Sequence, residues 1–208
     1  GVELAGAIAE LARDTLKHNF RAINPADARI VLLEGTDRVL PCYPTALSAR
    51  AAAALTRLGV SVRTGAMVTD IQPGQVTFQC GDQSESITSR SAFWAAGVQA
   101  SPLGRLLSEA TGAALDRSGR IMVEPDLTLP SSPEIFVIGD LAHFSHQTGT
   151  ALPGVAPVAM QQGRYVATTV ERRLRNQHPS PFRYKDRGSM ATIGRAHAVA
   201  DVGWMHLS

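Results

Sequence analysis

The run Ile135-Phe136-Val137-Ile138-Gly139-Asp140 constrains this chain more than any other stretch. Four consecutive apolar residues without polar alternation read as a strand covered on both faces, as in a parallel sheet flanked by helices. Gly139 lets the backbone turn sharply and approach a ligand closely. Asp140 then places a carboxylate at the carboxyl edge of the sheet, where open α/β folds bind ligands. The alternative is a turn aspartate that caps the following segment.

Other segments repeat the pattern. Arg29 to Glu34 is a second apolar run closed by an acid, and Val60 to Arg63 is a third strand. Between them Leu47, Ala51, Leu55 and Leu58 share one helical face that Gly59 ends. Leu4, Ile8 and Leu11 predict an amphipathic opening helix, with Gly1 and Gly6 where it passes close to a strand or ligand. Val76, Phe78 and Cys80 alternate between Pro73-Gly74 and Gly81-Asp82, which predicts a hairpin. Ser91 to Gly97 and Arg120 to Val123 read as further strands. Met160 to Leu174 reads as a helix facing inward through Val166, Val170 and Leu174. Asn176 to Pro181 reads as a boundary, and Met190 to Ala200 as a strand pair. Helices alternating with apolar strands define the α/β class, with a mostly parallel sheet and an interrupting antiparallel hairpin.

Composition narrows the function. With 20 Lys plus Arg against 18 Asp plus Glu, the net charge of +2 leaves no electrostatic footprint for nucleic acid. No apolar run approaches the roughly 20 residues that a membrane-spanning helix needs. Cys42 and Cys80 stand far apart, without the spacing of a redox pair or zinc site. His143, His146, His197 and Asp140 lack metal-ligand spacing, so no metal is expected. No GxSxG elbow is present for a serine hydrolase.

Glu34 occupies the strand-end position that binds ribose hydroxyls in dinucleotide folds, where a carboxylate favours NAD(H) over a 2′-phosphate. A solvent-facing strand-end acid is the other reading. Gly1 fits the last glycine of a GxGxxG turn, although glycine has many uses. Val155 to Gly163 sets small residues and two adjacent glutamines, Gln161 and Gln162, at a helix start. Small residues admit a flat ring, and a helix N-terminus favours an anionic partner. An ordinary packed helix start has the same appearance. Arg172, Arg173 and Arg175 read as a solvated helix face.

Together these pieces resemble a known family. Gly1 to Gly6, Leu32-Leu33-Glu34, Trp94-Ala95-Ala96-Gly97, Ile135 to Asp140, Ala156 to Gly163 and Met190 to Arg195 stand in the order found in type II NADH dehydrogenases. These are non-proton-pumping NADH:quinone oxidoreductases of the two-dinucleotide-domain flavoprotein superfamily. The resemblance implies Rossmann-like FAD- and NAD(P)-binding domains, here incomplete. Residues 1–113 would be the NADH domain, 114–165 the second half of the FAD domain, and 166–208 the start of a membrane-associating region. FAD and NADH would be the cofactors and a quinone the acceptor. Gly1 and Glu34 would hold NADH, with Ala96 and Gly97 along its nicotinamide and pyrophosphate. Glu3 would lie near the nicotinamide–flavin contact. Gly139, Asp140, Ala156, Val158 and Ala159 would hold FAD, and Gln161 and Gln162 would flank the isoalloxazine and quinone pocket. Pro157 stands where some members carry Gln. The parent would sit peripherally on the cytoplasmic face of a membrane, with a homodimer among its expected partners. Read as an internal piece, the isolated chain is expected to be inactive. A ferredoxin- or sulfide-type reductase, or an isolated NADH-binding module, are the alternatives.

Overall fold

A computed structural model describes residues 1–195, 197–201, 206 and 207. The chain forms two compact units, Gly1–Ala96 with Arg187–Ser208, and Gly97–Asp186.

The first unit opens with helix α1 (Val2–Glu10), which runs into a π-helical turn at Leu11–Thr15. Its buried face is Val2, Ala5, Gly6 and Ala9, whereas Leu4 and Leu11 are exposed. This corrects the face expected from Leu4, Ile8 and Leu11. The cause is close approach: a Cβ on Gly6 would stand 2.9 Å from the Gly194 nitrogen, so only small side chains fit there. Strand β1 (Ile30–Leu33) leads to helix α2 (Thr45–Arg57) and strand β2 (Val60–Arg63), which pairs parallel with β1. This is the expected strand–helix–strand unit, and α2 buries Leu47, Ala51 and Leu55 as predicted. The Ser48 hydroxyl donates to the Val39 carbonyl and ties the helix to the segment before it.

Strands β3 (Ala66–Gln72), β4 (Gln75–Cys80) and β5 (Gln83–Thr88) form an antiparallel meander. The expected hairpin is thus one strand larger, because Gly74 and Gly81 both take positive φ and turn the chain twice. Residues 91–97 form no strand, contrary to expectation. Among the described residues β1 pairs only with β2. Phe93 and Trp94 therefore lie exposed, with no ladder to join and no apolar layer to cover them.

The second unit contains helix α3 (Leu103–Thr111), strands β6 (Ile121–Met122), β7 (Thr128–Leu129), β8 (Ser132–Phe136) and β9 (Ala142–His143), and helix α4 (Ala156–Leu174). β6 pairs parallel with β9, and β7 pairs antiparallel with β8. The apolar run at Ile135 was expected to be a parallel strand ending in Gly-Asp. Instead its ladder ends at Phe136 and runs antiparallel, because the short connection after Leu129 folds β8 directly back onto β7. The parallel strand comes after the Gly139–Leu141 turn. Parallel pairing is thus present in β1–β2 and in β6–β9, and antiparallel pairing extends beyond the expected hairpin.

Helix α4 begins at Ala156, earlier than predicted, and its inward stripe is Val158, Gln162, Tyr165 with Val166, and Thr169. Val170 is exposed, and Leu174 is 82% exposed. Two of the inward positions are polar, so apolar periodicity finds Val166 but misplaces Val170 and Leu174. Arg173 is more than a solvated cation. It pairs with Asp126 at 2.8 Å, donates to the Pro133 carbonyl, and lies 4.9 Å from the Phe136 ring centre. After α4 the chain crosses back over the same unit. Phe182 is buried edge-on against Phe144 and Tyr165, and its N–H donates to the Pro125 carbonyl.

The chain then returns to the first unit as β10 (Ser189–Ile193), β11 (His197–Asp201) and β12 (His206–Leu207), an antiparallel sheet. The predicted strand pair is therefore present. Ala191, Ile193 and Val199 share the core of Val2, Ala9, Leu47 and Leu55. The compact units divide at 96/97 and 186/187. α3 lies on the second unit, where a Cβ on Gly104 would meet the Gly119 carbonyl oxygen at 2.6 Å. Among the described residues no helix is long and apolar enough to cross a membrane.

Candidate functional site

In the first unit, Glu34 directly follows β1. Its N–H donates to the Arg63 carbonyl and its carbonyl accepts from the Ala66 N–H, each at 2.9 Å, so the strand end is rigid. Its Oε1 accepts from both the N–H and the hydroxyl of Thr36, at 2.9 Å each. Oε2 has no hydrogen-bond partner among the described residues. Gly1 caps α1 without a side-chain bond, and its Cβ position lies 3.6 Å from Leu32 Cδ1. Glu3 Oε1 accepts from the Thr192 N–H and hydroxyl at 3.1 Å each, so one of its oxygens ties α1 to β10. Ala96 and Gly97 are exposed, and Gly97 has a φ of 91°.

The second unit brings most of the remaining predicted residues together. Gly139 has a φ of 66°, and its N–H donates to Gln162 Oε1 at 2.7 Å. Gln162 is only 1% exposed, so the amide is a buried latch between the turn and α4. Ala159 faces the same turn, its Cβ 3.5 Å from where a Cβ on Gly139 would lie. The Asp140 carboxylate is exposed and has no hydrogen-bond partner among the described residues. A Cβ on Gly154 would come 3.1 Å from Asp140 Oδ1. α4 starts at Ala156 with Pro157 in its first turn and no side-chain cap. Pro157 carries no N–H and the Val158 N–H donates to the Val155 carbonyl at 3.0 Å, so of the first three residues only the Ala156 N–H lacks a partner among the described residues, at the positive end of the helix dipole. Val158 is buried, Ala159 half-buried and Ala156 exposed. Gln161 pairs its amide both ways with the Lys185 backbone, at 2.9 and 3.0 Å, as a strand would.

A glycine-lined turn, an unpartnered carboxylate and an uncapped helix start fit part of a flavin: ribityl hydroxyls at Asp140 and an electron-rich ring edge at the helix. The histidines have other tasks. His143 Nδ1 donates to Asp116 Oδ2 at 2.8 Å, and His146 Nε2 donates to the Val123 carbonyl at 2.6 Å. Among the described residues no group of three or more His, Cys, Asp or Glu is placed to hold a metal ion.

Asp116 is the residue that sequence reasoning missed. Its carboxylate accepts from the Ser118 N–H and hydroxyl, the Arg120 N–H and Nε, and His143, all at 2.7–3.0 Å. Burial opposes its charge, but the hydrogen bonds from His143, Arg120 and Ser118 outweigh it and hold the carboxyl well below the ordinary range. The run Asp116-Arg117-Ser118-Gly119-Arg120 carries the signal that could have found it, since Asp with Ser two residues on is an Asx-turn pattern.

The chain is 45% identical over its whole length to the type II NADH:quinone oxidoreductase Ndh of Mycobacterium tuberculosis, and 42% identical over 98% of its length to NdhA of that organism. It spans 45% and 43% of those proteins, under half of each. Its fold superposes on NDH2 from Plasmodium falciparum, solved with NADH, with a TM-score of 0.84 and 17% identity. That match covers 99% of this chain and 56% of the other. The family model described as pyridine nucleotide-disulphide oxidoreductase matches residues 1–163. The chain therefore belongs to the pyridine nucleotide-disulphide oxidoreductase family.

Proposed function

We propose that this chain is part of a flavin-dependent NADH:quinone oxidoreductase, in which hydride passes from NADH to FAD and two electrons pass on to a membrane quinone. The whole-chain identity of 45% to the Mycobacterium tuberculosis enzyme carries the proposal. The free Oε2 of Glu34 and the open carboxylate of Asp140 support it at the two ends of the reaction.

Residues of the first unit, together with Gly97 next to it in sequence, hold NADH in this reading. Gly1 lets the pyrophosphate approach the start of α1, and Glu34 Oε2 accepts from the adenosine ribose hydroxyls. Ala96 and Gly97 give an exposed stretch without bulky side chains for the nicotinamide side. Glu3 lies near the nicotinamide in this reading, with Thr192 fixing one of its carboxylate oxygens. The second unit holds the flavin through Asp140, Gly139, Ala156, Val158 and Ala159. FAD, when bound, supplies hydride acceptance and two-electron transfer. Gln161 and Gln162 flank the ring and quinone pocket, and their amides act by fixing Lys185 and Gly139. The parent sits peripherally on the cytoplasmic face of a membrane, beginning its membrane contact in or after residues 166–208, and pairs as a homodimer. The residues of this chain need form no covalent link to substrate, which suits a site without a nucleophile–base pair.

Steady-state assay of the full-length protein tests this. NADH should be oxidised in the presence of a short-chain quinone, and Glu34→Arg should weaken NADH use while easing NADPH use. Reduction of ferredoxin or persulfide without quinone reduction would contradict the acceptor. Unchanged nucleotide preference in the variant would remove Glu34 from the ribose role.

A further inference from the structure

Two backbone segments flank Asp140: the Gly139–Leu141 turn that enters β9, and the Leu152–Gly154 loop that enters α4. One carboxylate holds both. Asp116 Oδ2 accepts from His143 Nδ1 at 2.8 Å, and His143 closes β9 just past the turn. The same oxygen accepts from Arg120 Nε at 2.7 Å, and Arg120 Nη1 reaches the Leu152 carbonyl in a long contact of 3.4 Å. The Leu152 N–H donates to the Phe144 carbonyl at 2.9 Å, so the loop is gripped from both sides. Gly154, two residues on, stands against Asp140. The parallel register of Ile121 with Ala142 also sets Arg120 beside Leu141, next to Asp140 in sequence. The turn carrying Asp116 is itself fixed, because the Gly119 carbonyl abuts α3 at Gly104.

We infer that Asp116 and Arg120 are positioning residues for the flavin: together they hold the Asp140 turn and the Leu152–Gly154 loop at the separation that the ribityl chain requires. The inference rests on the flavin reading above. Neither side chain needs to touch the cofactor. A charged, mostly buried and multiply bonded pair suits this task, since its geometry is fixed before the ligand arrives.

The test uses the full-length protein stripped of FAD and titrated with it. Flavin fluorescence gives the dissociation constant, the visible absorption band reports the ring environment, and thermal unfolding reports stability. D116A and R120A should weaken FAD binding by about tenfold or more and shift the absorption of what remains bound. R120K should restore part of both. R173A breaks the Asp126 ion pair in the same unit and should lower stability without moving FAD affinity or absorption. If D116A does not fold, D116N and R120K against R173A carry the same comparison. Wild-type affinity and absorption in the Asp116 and Arg120 variants would overturn the inference, as would an equal FAD loss in R173A at matched stability. D140N separates the two levels. Unaltered FAD binding in D140N overturns the flavin reading and this inference with it. Weak binding in D140N with wild-type binding in D116A and R120A overturns only the inference.

Discussion

The Gly139 N–H donates to the Oε1 of the buried Gln162, so removing that oxygen leaves a half-buried donor without its partner. Gln162→Leu should cost about 1–3 kcal/mol of stability in urea unfolding. A loss below measurement error would mean that the latch does not hold the turn. Asp116 makes a different claim, about pH. Its carboxyl is depressed in the folded state, so its contribution to stability is fully present above the unfolded value near ~3.9 and fades as pH falls toward the folded one. Wild type should therefore melt well above D116N at neutral pH, and the gap should narrow steadily in acid. A gap independent of pH would contradict the charged network. Such residues are poorly legible in sequence. Glu34 is readable because it ends the apolar run that forms β1, whereas Asp140 lies in a turn beyond a run whose ladder already ends at Phe136. Asp116 sits in a short turn, and its worth comes from His143, a residue that only folding brings near.

Elements were readable where the buried stripe is apolar and failed where close packing or polar latches choose the face. α2 buries large aliphatic residues at helical spacing, and the sequence pattern finds it. α1 turns its small residues inward because backbone lies against it, so its larger leucines mislead. α4 turns Gln162 and Thr169 inward for the same kind of reason. The α1 packing makes a sharp prediction. Gly6→Ala would put a Cβ 2.9 Å from the Gly194 nitrogen, which is backbone and cannot rotate away. Although alanine favours helices, this variant should lose about 1–3 kcal/mol. Ala7→Gly, at an exposed position of the same helix, should lose only about 1 kcal/mol or less. Equal or greater stability of Gly6→Ala in thermal unfolding would show that the approach is looser than described.

Across the whole molecule, chain order and compact unit part company. Residues 187–201 follow the second unit in sequence yet complete the core of the first through Ala191, Ile193 and Val199. No local pattern marks this, because the partners of those residues lie near the other end of the chain. Ending the chain after Asp186 should therefore raise amide exchange throughout α1 and α2 and leave β6, β9 and α4 protected, as hydrogen exchange would read it. The same division sets Gly1, Glu3, Glu34 and Ala96 apart from the residues assigned to flavin, with Gly97 opening the second unit, so the central claim concerns both units at once. It is tested most directly by anaerobic titration of the full-length, FAD-loaded protein with NADH, followed by a short-chain quinone. One equivalent of NADH should bleach the flavin absorbance, and one equivalent of quinone should restore it. Absorbance that NADH leaves unchanged, or that quinone fails to restore, would contradict the account.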